Sequence, residues 1–191
     1  MKTGKTVKVL LTAATAAGML AGCGSKTDTD TFRFASELDI QGMDSTVVDD
    51  GMSFNAIHAI TDGLTAVNEK GKTAPAIAKS WDVSDDGKTY TFHLRDAKWT
   101  NGDKVTANDF VYSWRKIIKD AGNYAYMLGS GGASVKNADA LMELGANATD
   151  EQMATLGVTA KDDQTLVVEL ENKVPYFTDL MAFPCYFPQN E

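Results

Sequence analysis

This chain of 191 residues encodes a mixed α+β (α/β) fold, and three observations predict it. Short runs alternate strictly between apolar and polar residues, most clearly over Thr89–Arg95. Other stretches carry apolar side chains at helical spacing, above all Phe110, Trp114, Ile117 and Ile118. Turn signals, Asp86-Gly87 and Asn101-Gly102, stand between them. Strands and helices are interleaved, and no repeat period is present.

The first element is not part of the fold. Lys2, Lys5 and Lys8 form a basic start, and from Val7 to Leu20 only Lys8 is charged. That stretch is too short to span a bilayer and ends in small residues suited to cleavage. Leu20-Ala21-Gly22-Cys23 resembles a bacterial lipobox, in which the cysteine is lipidated and becomes the new N-terminus. Residues 1–22 are then a lipoprotein signal peptide and Cys23 the lipidation site. Two acyl chains would hold the protein at the outer face of the cell membrane, where one gives only marginal residence. The polar run to Thr31 completes a lipidated tether, residues 23–31.

Thr31–Ala35 alternates and reads as a first strand. Ser53–Leu64 carries Phe54, Ile57, His58, Thr61 and Leu64 at helical spacing, so His58 reads as a satisfied core histidine. Asn68–Lys72 is a turn, and Asp86-Gly87 joins Trp81-Asp82-Val83 to Thr89–Arg95. Tyr90, Phe92 and Leu94 share the buried face of that strand, leaving His93 half-exposed on the other. Thr106 with Asp109 suits a capping box for a helix that stops near Asp120-Ala121-Gly122. Gly129-Ser130-Gly131-Gly132 reads as a mobile loop. A second helix is expected from Thr149 to Gly157, with Gln152 completing its cap. Val158–Ala160 and Thr165–Leu170 form a strand pair about Asp162-Asp163, and Pro175 lies in the first turn of a last short helix.

The formal charge of −8 becomes −11 once the three leader lysines are removed, with 15 Lys+Arg against 26 Asp+Glu. Such a balance argues against nucleic acid or an anionic membrane surface as a direct partner. With Cys23 carrying lipid, Cys185 has no disulfide partner and reads as a small buried apolar residue. The two histidines match no zinc spacing, and the glycine-rich loop lacks both the P-loop ending and the nucleophile-elbow spacing. No nucleophile–base pair is visible, so nothing calls for an enzyme or a cofactor.

The most specific stretch runs from Pro75 to Trp114. It contains Asp86-Gly87-Lys88-Thr89-Tyr90-Thr91-Phe92-His93-Leu94-Arg95, then Lys98-Trp99-Thr100-Asn101-Gly102, then Val105-Thr106-Ala107-Asn108-Asp109-Phe110-Val111-Tyr112-Ser113-Trp114. This closely resembles the oligopeptide-binding branch of the extracellular solute-binding proteins, family 5, the receptors of peptide ABC importers. Thr61-Asp62-Gly63-Leu64, Asp162-Asp163-Gln164-Thr165-Leu166 and Val174-Pro175-Tyr176-Phe177 extend the likeness from Phe32 to the end. Trp81, Tyr90, Phe92, Leu94 and Trp114 have the spacing of core, and Gly87 and Gly102 that of turns.

The resemblance implies the N-terminal part of a two-lobed, periplasmic-binding-protein-like clamp, the second lobe being absent from this sequence. It divides the chain into the start of the first lobe (32–60), a smaller α+β sub-domain (61–184) and a truncated return to the first lobe (185–191). It also implies oligopeptides as ligand and ABC permease subunits as partners. Main-chain pairing holds such peptides without reading their sequence. The peptide-binding positions it carries over are Asp49, Asp50 and Gly51, by backbone pairing, and Tyr124, by packing and its hydroxyl. Asp49 would face the ligand's N-terminal amine. Ser45 stands where the family has proline, Tyr126 is an alternative to Tyr124, and Asp49 and Asp50 read equally well as a solvated acidic turn. A small surface lipoprotein serving as a scaffold module without transport is the second reading.

Overall fold

The computed structural model describes Ala35, Ser36 and residues 38–191. The leader, Cys23, the tether and the strand expected from Thr31 lie outside the described residues, apart from Ala35, which is not in a strand. All the elements belong to one unit, Leu38–Glu191.

The core is built on an antiparallel sheet of four strands. These are β3 (Ala78–Val83), β4 (Thr89–Leu94), β5 (Val158–Asp162) and β6 (Thr165–Glu169), in the order β3-β4-β6-β5. The alternation in β4 does what it predicted: Tyr90, Phe92 and Leu94 are buried on one face, and Thr91 and His93 are half-buried on the other. Register places Phe92 opposite Leu166 and Tyr90 opposite Val168, so the apolar faces of β4 and β6 coincide. Gly87 turns the β3–β4 hairpin at φ +70°, a conformation open to glycine at no steric cost. His93 Nε2 lies 2.8 Å from the Asp82 carboxylate on β3, a surface pairing that fits the structural role read for it. Trp81 is half-buried and packs against the core.

One long helix closes the apolar face. It spans Ala107–Lys119, preceded in chain order by α1 (Gly51–Ile60), and is designated α2. Its start is fixed by Asp109, whose Oδ2 accepts from the Thr106 amide at 2.6 Å and from the Trp99 indole at 3.3 Å. Phe110, Trp114, Ile117 and Ile118 are all essentially inaccessible. Each such side chain stabilises the fold by about 1.5–3 kcal/mol relative to exposure. A short two-stranded ribbon, β1 (Thr65–Val67) and β2 (Thr73–Pro75), stands apart from the sheet. The Asn68 side chain shapes its turn by accepting from the amides of Lys70 and Lys72.

Several expectations need correcting. The helix expected over Ser53–Leu64 spans Gly51–Ile60 instead, and His58 is exposed on it, edge-on to Phe187 at 5.2 Å. Only Ser53, Phe54 and Ile57 of α1 are buried, because the helix meets the rest through a narrow stripe. The Gly129–Gly132 segment is a packed turn. A Cβ on Gly132 would stand 2.2 Å from the Met127 carbonyl, so close backbone approach explains this glycine. A helix that the spacing does not announce, α3 (Ala138–Leu144), follows this turn and buries only Ala138 and Leu141. The Thr149–Gln152 capping box forms, but α4 spans just Asp150–Met153. Pro175 precedes the last helix, α5 (Phe177–Leu180), whose cap is Tyr176. Cys185 is buried as read, and burial pushes its thiol far up from the ordinary value.

The C-terminal segment lies across α2. Trp114 Nε1 donates to the Tyr186 carbonyl at 3.0 Å, and Ser113 Oγ to the Phe187 carbonyl at 2.7 Å. The Tyr186 hydroxyl donates to the Met127 carbonyl at 2.5 Å. Asp44 ties the N-terminal segment to both: its carboxylate accepts from Thr46, from Gln189 and from Lys116. Burial pushes the Asp44 carboxyl up, but hydrogen bonds from Thr46, Gln189 and Lys116 outweigh it and bring it down to about 2 from 3.8.

The folded value lies below the unfolded one, so this stabilisation is present above about pH 4 and is lost as pH falls toward 2. The full difference would be about 2.5 kcal/mol. With the side chain 42% exposed, solvent screening leaves about 1 kcal/mol. Asp44→Asn should therefore lower stability by about 1 kcal/mol at pH 7 and flatten the acid limb of the unfolding curve, read by urea titration at several pH values.

Candidate functional site

The two regions carried over from the family resemblance, 49–51 and 124, converge on one surface. Asp50 is the N-cap of α1: its Oδ1 accepts from the Ser53 amide at 2.8 Å. Hydrogen bonding from Ser53, side chain first and then amide, holds the Asp50 carboxyl below its ordinary value. Its other oxygen, Oδ2, is shielded and has no hydrogen-bond partner among the described residues. Ser53 is itself buried, and its hydroxyl accepts from the amides of Gln41 and Gly42 at 3.0 and 3.2 Å. The cap thus joins the incoming chain to the first turn of the helix.

Gly51 is the first residue of that helix. Its amide belongs to the group of first-turn donors that no helical carbonyl can satisfy. Nothing lies within 4 Å of where its Cβ would stand, so the backbone borders open space. Asp49 is exposed, and its Oδ2 accepts from Asn123 Nδ2 at 2.6 Å. That bond spans seventy-four positions of sequence and brings the α1 cap to the end of α2.

Tyr124 follows immediately. Its ring packs edge-on to Phe54 at 5.3 Å, tilted on Phe183 at 5.2 Å and stacked with Tyr126 at 6.1 Å. Tyr124 is half-buried and Tyr126 52% exposed, so the first is held in place and the second reaches into solvent. The aromatic floor consists of Val48, Phe54, Ile57 and Phe187, a cluster separate from the main core, with Tyr124 and Phe183 packed against it. Phe54 and Phe183 were not foreseen as neighbours of the site. The helical spacing of Phe54 marked it as buried, but no local signal pairs it with Phe183.

Tyr124 reaches this position through a tight reversal. Gly122 N donates to the Ile117 carbonyl and Ala121 N to that of Ile118, the two bonds of a Schellman ending. Ala121 takes the left-handed position at φ +49°, where glycine is usual. Gly122 approaches the Thr46 carbonyl so closely that a Cβ would stand 2.0 Å from it. No group of His, Cys, Asp or Glu suited to hold a metal occurs among the described residues. The surface therefore presents backbone amides, carboxylates and aromatic faces side by side.

A family model described as bacterial extracellular solute-binding proteins, family 5 middle, matches residues 72–191. The chain belongs to this family. Family 5 is a family of binding proteins, not of enzymes. A dipeptide-binding protein of Lactococcus lactis is 38% identical over 195 residues, covering all of this chain and 34% of the relative. The oligopeptide-binding protein OppA of Bacillus subtilis is 40% identical over 148 residues, 76% of this chain and 26% of that one. Among solved structures, the substrate-binding domain of an oligopeptide ABC transporter from Bacillus anthracis superposes with a TM-score of 0.75 at 40% identity. It is matched over 82% of this chain and 29% of its own. Listeria monocytogenes OppA bound to peptide gives 0.70 at 39%, over 78% and 28% respectively. The chain thus spans about a third or less of these relatives, and the mixed α+β fold matches their N-terminal part.

The reversal that positions Tyr124 generates a prediction. Ala121→Gly should raise stability by about 1 kcal/mol by relieving the left-handed alanine, whereas Gly122→Ala should lower it. Thermal melts of the two variants should shift in opposite directions.

Proposed function

We propose that this chain belongs to a lipid-anchored receptor that captures oligopeptides outside the cell and passes them to the permease of an ABC importer. The observation that carries the reading is the meeting of the α1 cap and Tyr124 on one surface, joined by the Asp49–Asn123 bond. Relatives that bear the names of dipeptide- and oligopeptide-binding proteins support it.

In this reading the Gly51 amide and its neighbours pair with the main chain of a peptide. Pairing through the backbone supplies affinity that is indifferent to side-chain identity. Tyr124 contributes a ring face, held by Phe54 and Phe183, and a hydroxyl for hydrogen bonding. Asp49 and the donor-free Oδ2 of Asp50 supply negative potential for the ligand's N-terminal amine. Lipid on Cys23 holds the receptor at the outer face of the membrane, so that captured peptide stays near the permease. Energy comes from a partner ATPase, and this chain performs no chemistry.

Proline is favoured at the first position of a helix, so Gly51→Pro removes the amide while sparing α1. A calorimetric titration of mixed short peptides should therefore show affinity at least tenfold weaker for Gly51→Pro and for Tyr124→Ala, with cooperative melts retained. Unchanged affinity in both would sink the placement of the ligand. A chain that melts cooperatively yet gives no saturable heat would instead favour the scaffold reading.

The anchor has its own test. Cys23→Ser should abolish incorporation of labelled palmitate and move the protein from the membrane to the soluble fraction on cell fractionation. Wild-type chain that stays in the membrane without taking up label would rule the lipid anchor out.

A further inference from the structure

The chain leaving β4, the chain entering α2 and the β5–β6 turn border a hollow of about 1040 Å³. Lys98 and Lys104 both line it, and they lie directly opposite one another in an antiparallel pairing. Around them Trp99 N donates to the Asp103 carbonyl at 2.9 Å and Val105 N to the Ala97 carbonyl at 3.0 Å. The two lysines therefore exchange no backbone bond with each other. That is the closer of the two antiparallel pairings, with Cα atoms about 4.5 Å apart and side chains nearest. Like charges so placed are destabilising. Neither ammonium takes part in an ion pair or a hydrogen bond among the described residues. Two such cations, side by side on the wall of a hollow, are a seat for one anionic group shared between them.

The rest of the lining carries the opposite sign, in Asp96, Asp162 and Asp163. Gln164 engages two of these: its backbone amide donates to Asp162 at 2.9 Å and its side-chain amide to Asp96 at 2.5 Å. The Asp163 carboxylate has no such partner among the described residues. Its carbonyl accepts from the Ala107 amide at 2.8 Å, which fixes the turn against the start of α2 and leaves the carboxylate free. No lysine of the hollow pairs with any of the three acids. Charges of both signs thus border one space without reaching each other. An inorganic anion would leave the acids unused, and a lone cation would leave the lysines unused. The complementary ligand carries a carboxylate at one end and an ammonium at the other. A cube of 1040 Å³ has edges of about 10 Å, the length of about three extended residues.

We propose that the Lys98–Lys104 hollow is a second site, separate from the Gly51–Tyr124 surface, for very short peptides with both termini free. The ligand carboxylate lies between the two ammonium groups, and its amine lies against Asp163. Exposed charges each contribute little, so the affinity is about millimolar. The site uses none of Asp49, Gly51 or Tyr124, so it and the reading of that surface can fail independently.

The test titrates trialanine into the full, isotopically labelled chain in non-ionic detergent and follows backbone amide signals by NMR. Saturable shifts are expected at Lys98, Lys104 and Gln164, and trialanine blocked at both ends should bind at least tenfold more weakly. Lys104→Glu replaces a like-charge pair by an opposite one, so it should raise the melting temperature by about 1–3 °C. The same change should weaken trialanine at least tenfold, and a purely structural lysine would not move the two readouts in opposite directions. Asp163→Asn should weaken trialanine at least threefold but leave its N-acetylated form unaffected. Shifts confined to Gly51 and Asn123, equal binding of the blocked peptide, or unchanged affinity in Lys104→Glu would each overturn the proposal. Sodium acetate is the last probe. Equal shifts with acetate, together with no effect of Asp163→Asn on trialanine, would reduce the hollow to a simple anion site and overturn it too. Shifts at Lys98 without any at Gly51 would uphold it while counting against the Gly51–Tyr124 surface.

Discussion

The structure depends first on the seating of Trp114. Its indole is fully buried, and a buried N–H without an acceptor would cost a few kcal/mol. The acceptor is the Tyr186 carbonyl, and one position earlier Ser113 meets the carbonyl of Phe187 in the same way. These two bonds fix the path of the C-terminal segment across α2. They also decide what lies beside that path: Phe187 is delivered to the α1 cluster, where it meets His58, and Phe183 to Phe54 and Tyr124. The candidate binding surface is therefore not a local feature of residues 49–51. It is floored by aromatics whose positions are set by a hydrogen bond inside the main core.

A second constraint acts on the same elements from the polar side. The net charge is strongly negative, so cations placed between acidic segments have unusual leverage over chain path. Lys116 reaches both Asp44 and Asp120, and Lys119 reaches Asp150. Burial alone would lower the Lys116 ammonium, but its two carboxylate partners raise it above its ordinary value. The exposed pair at Lys119 contributes little to stability. The Asp44 cluster differs because Thr46, Gln189 and Lys116 converge on one carboxylate from three parts of the chain. It holds the segment before α1 against α2, and so sets where the Asp50 cap can begin.

How much of this was legible in the sequence follows from the range of the interactions. Strand β4, its hairpin glycine and the caps at Thr106 and Thr149 were legible because each depends on residues within a few positions. Asp50 as an N-cap is local too, yet the sequence offers it as a contact residue or a solvated acidic turn, since Asp followed by Gly signals a turn as readily as a helix start. Helix α3 escaped because two buried residues in seven give no period. His58 was misplaced because a one-residue error in the width of a buried stripe moves a side chain by 100°. The Gly129–Gly132 turn was misread because glycine needed for close packing looks, in sequence, the same as glycine in a free loop.

The candidate site divides along the same line, and the division bears on how it would work. Its backbone component, the open first turn at Gly51, is specified by a cap and a glycine that lie side by side in sequence. Its aromatic component, Tyr124 on Phe54 and Phe183, exists only once α1, the end of α2 and the C-terminal segment have all docked. In the proposed reading, donors formed by the local cap would carry little selectivity, because every peptide presents the same carbonyls. Discrimination among ligands would then have to come from the docked aromatics, where shape and packing differ from one side chain to the next. A change in the seating of Trp114 would therefore reach selectivity before it reached the backbone donors, although the indole lies in the main core rather than in the aromatic floor of the site.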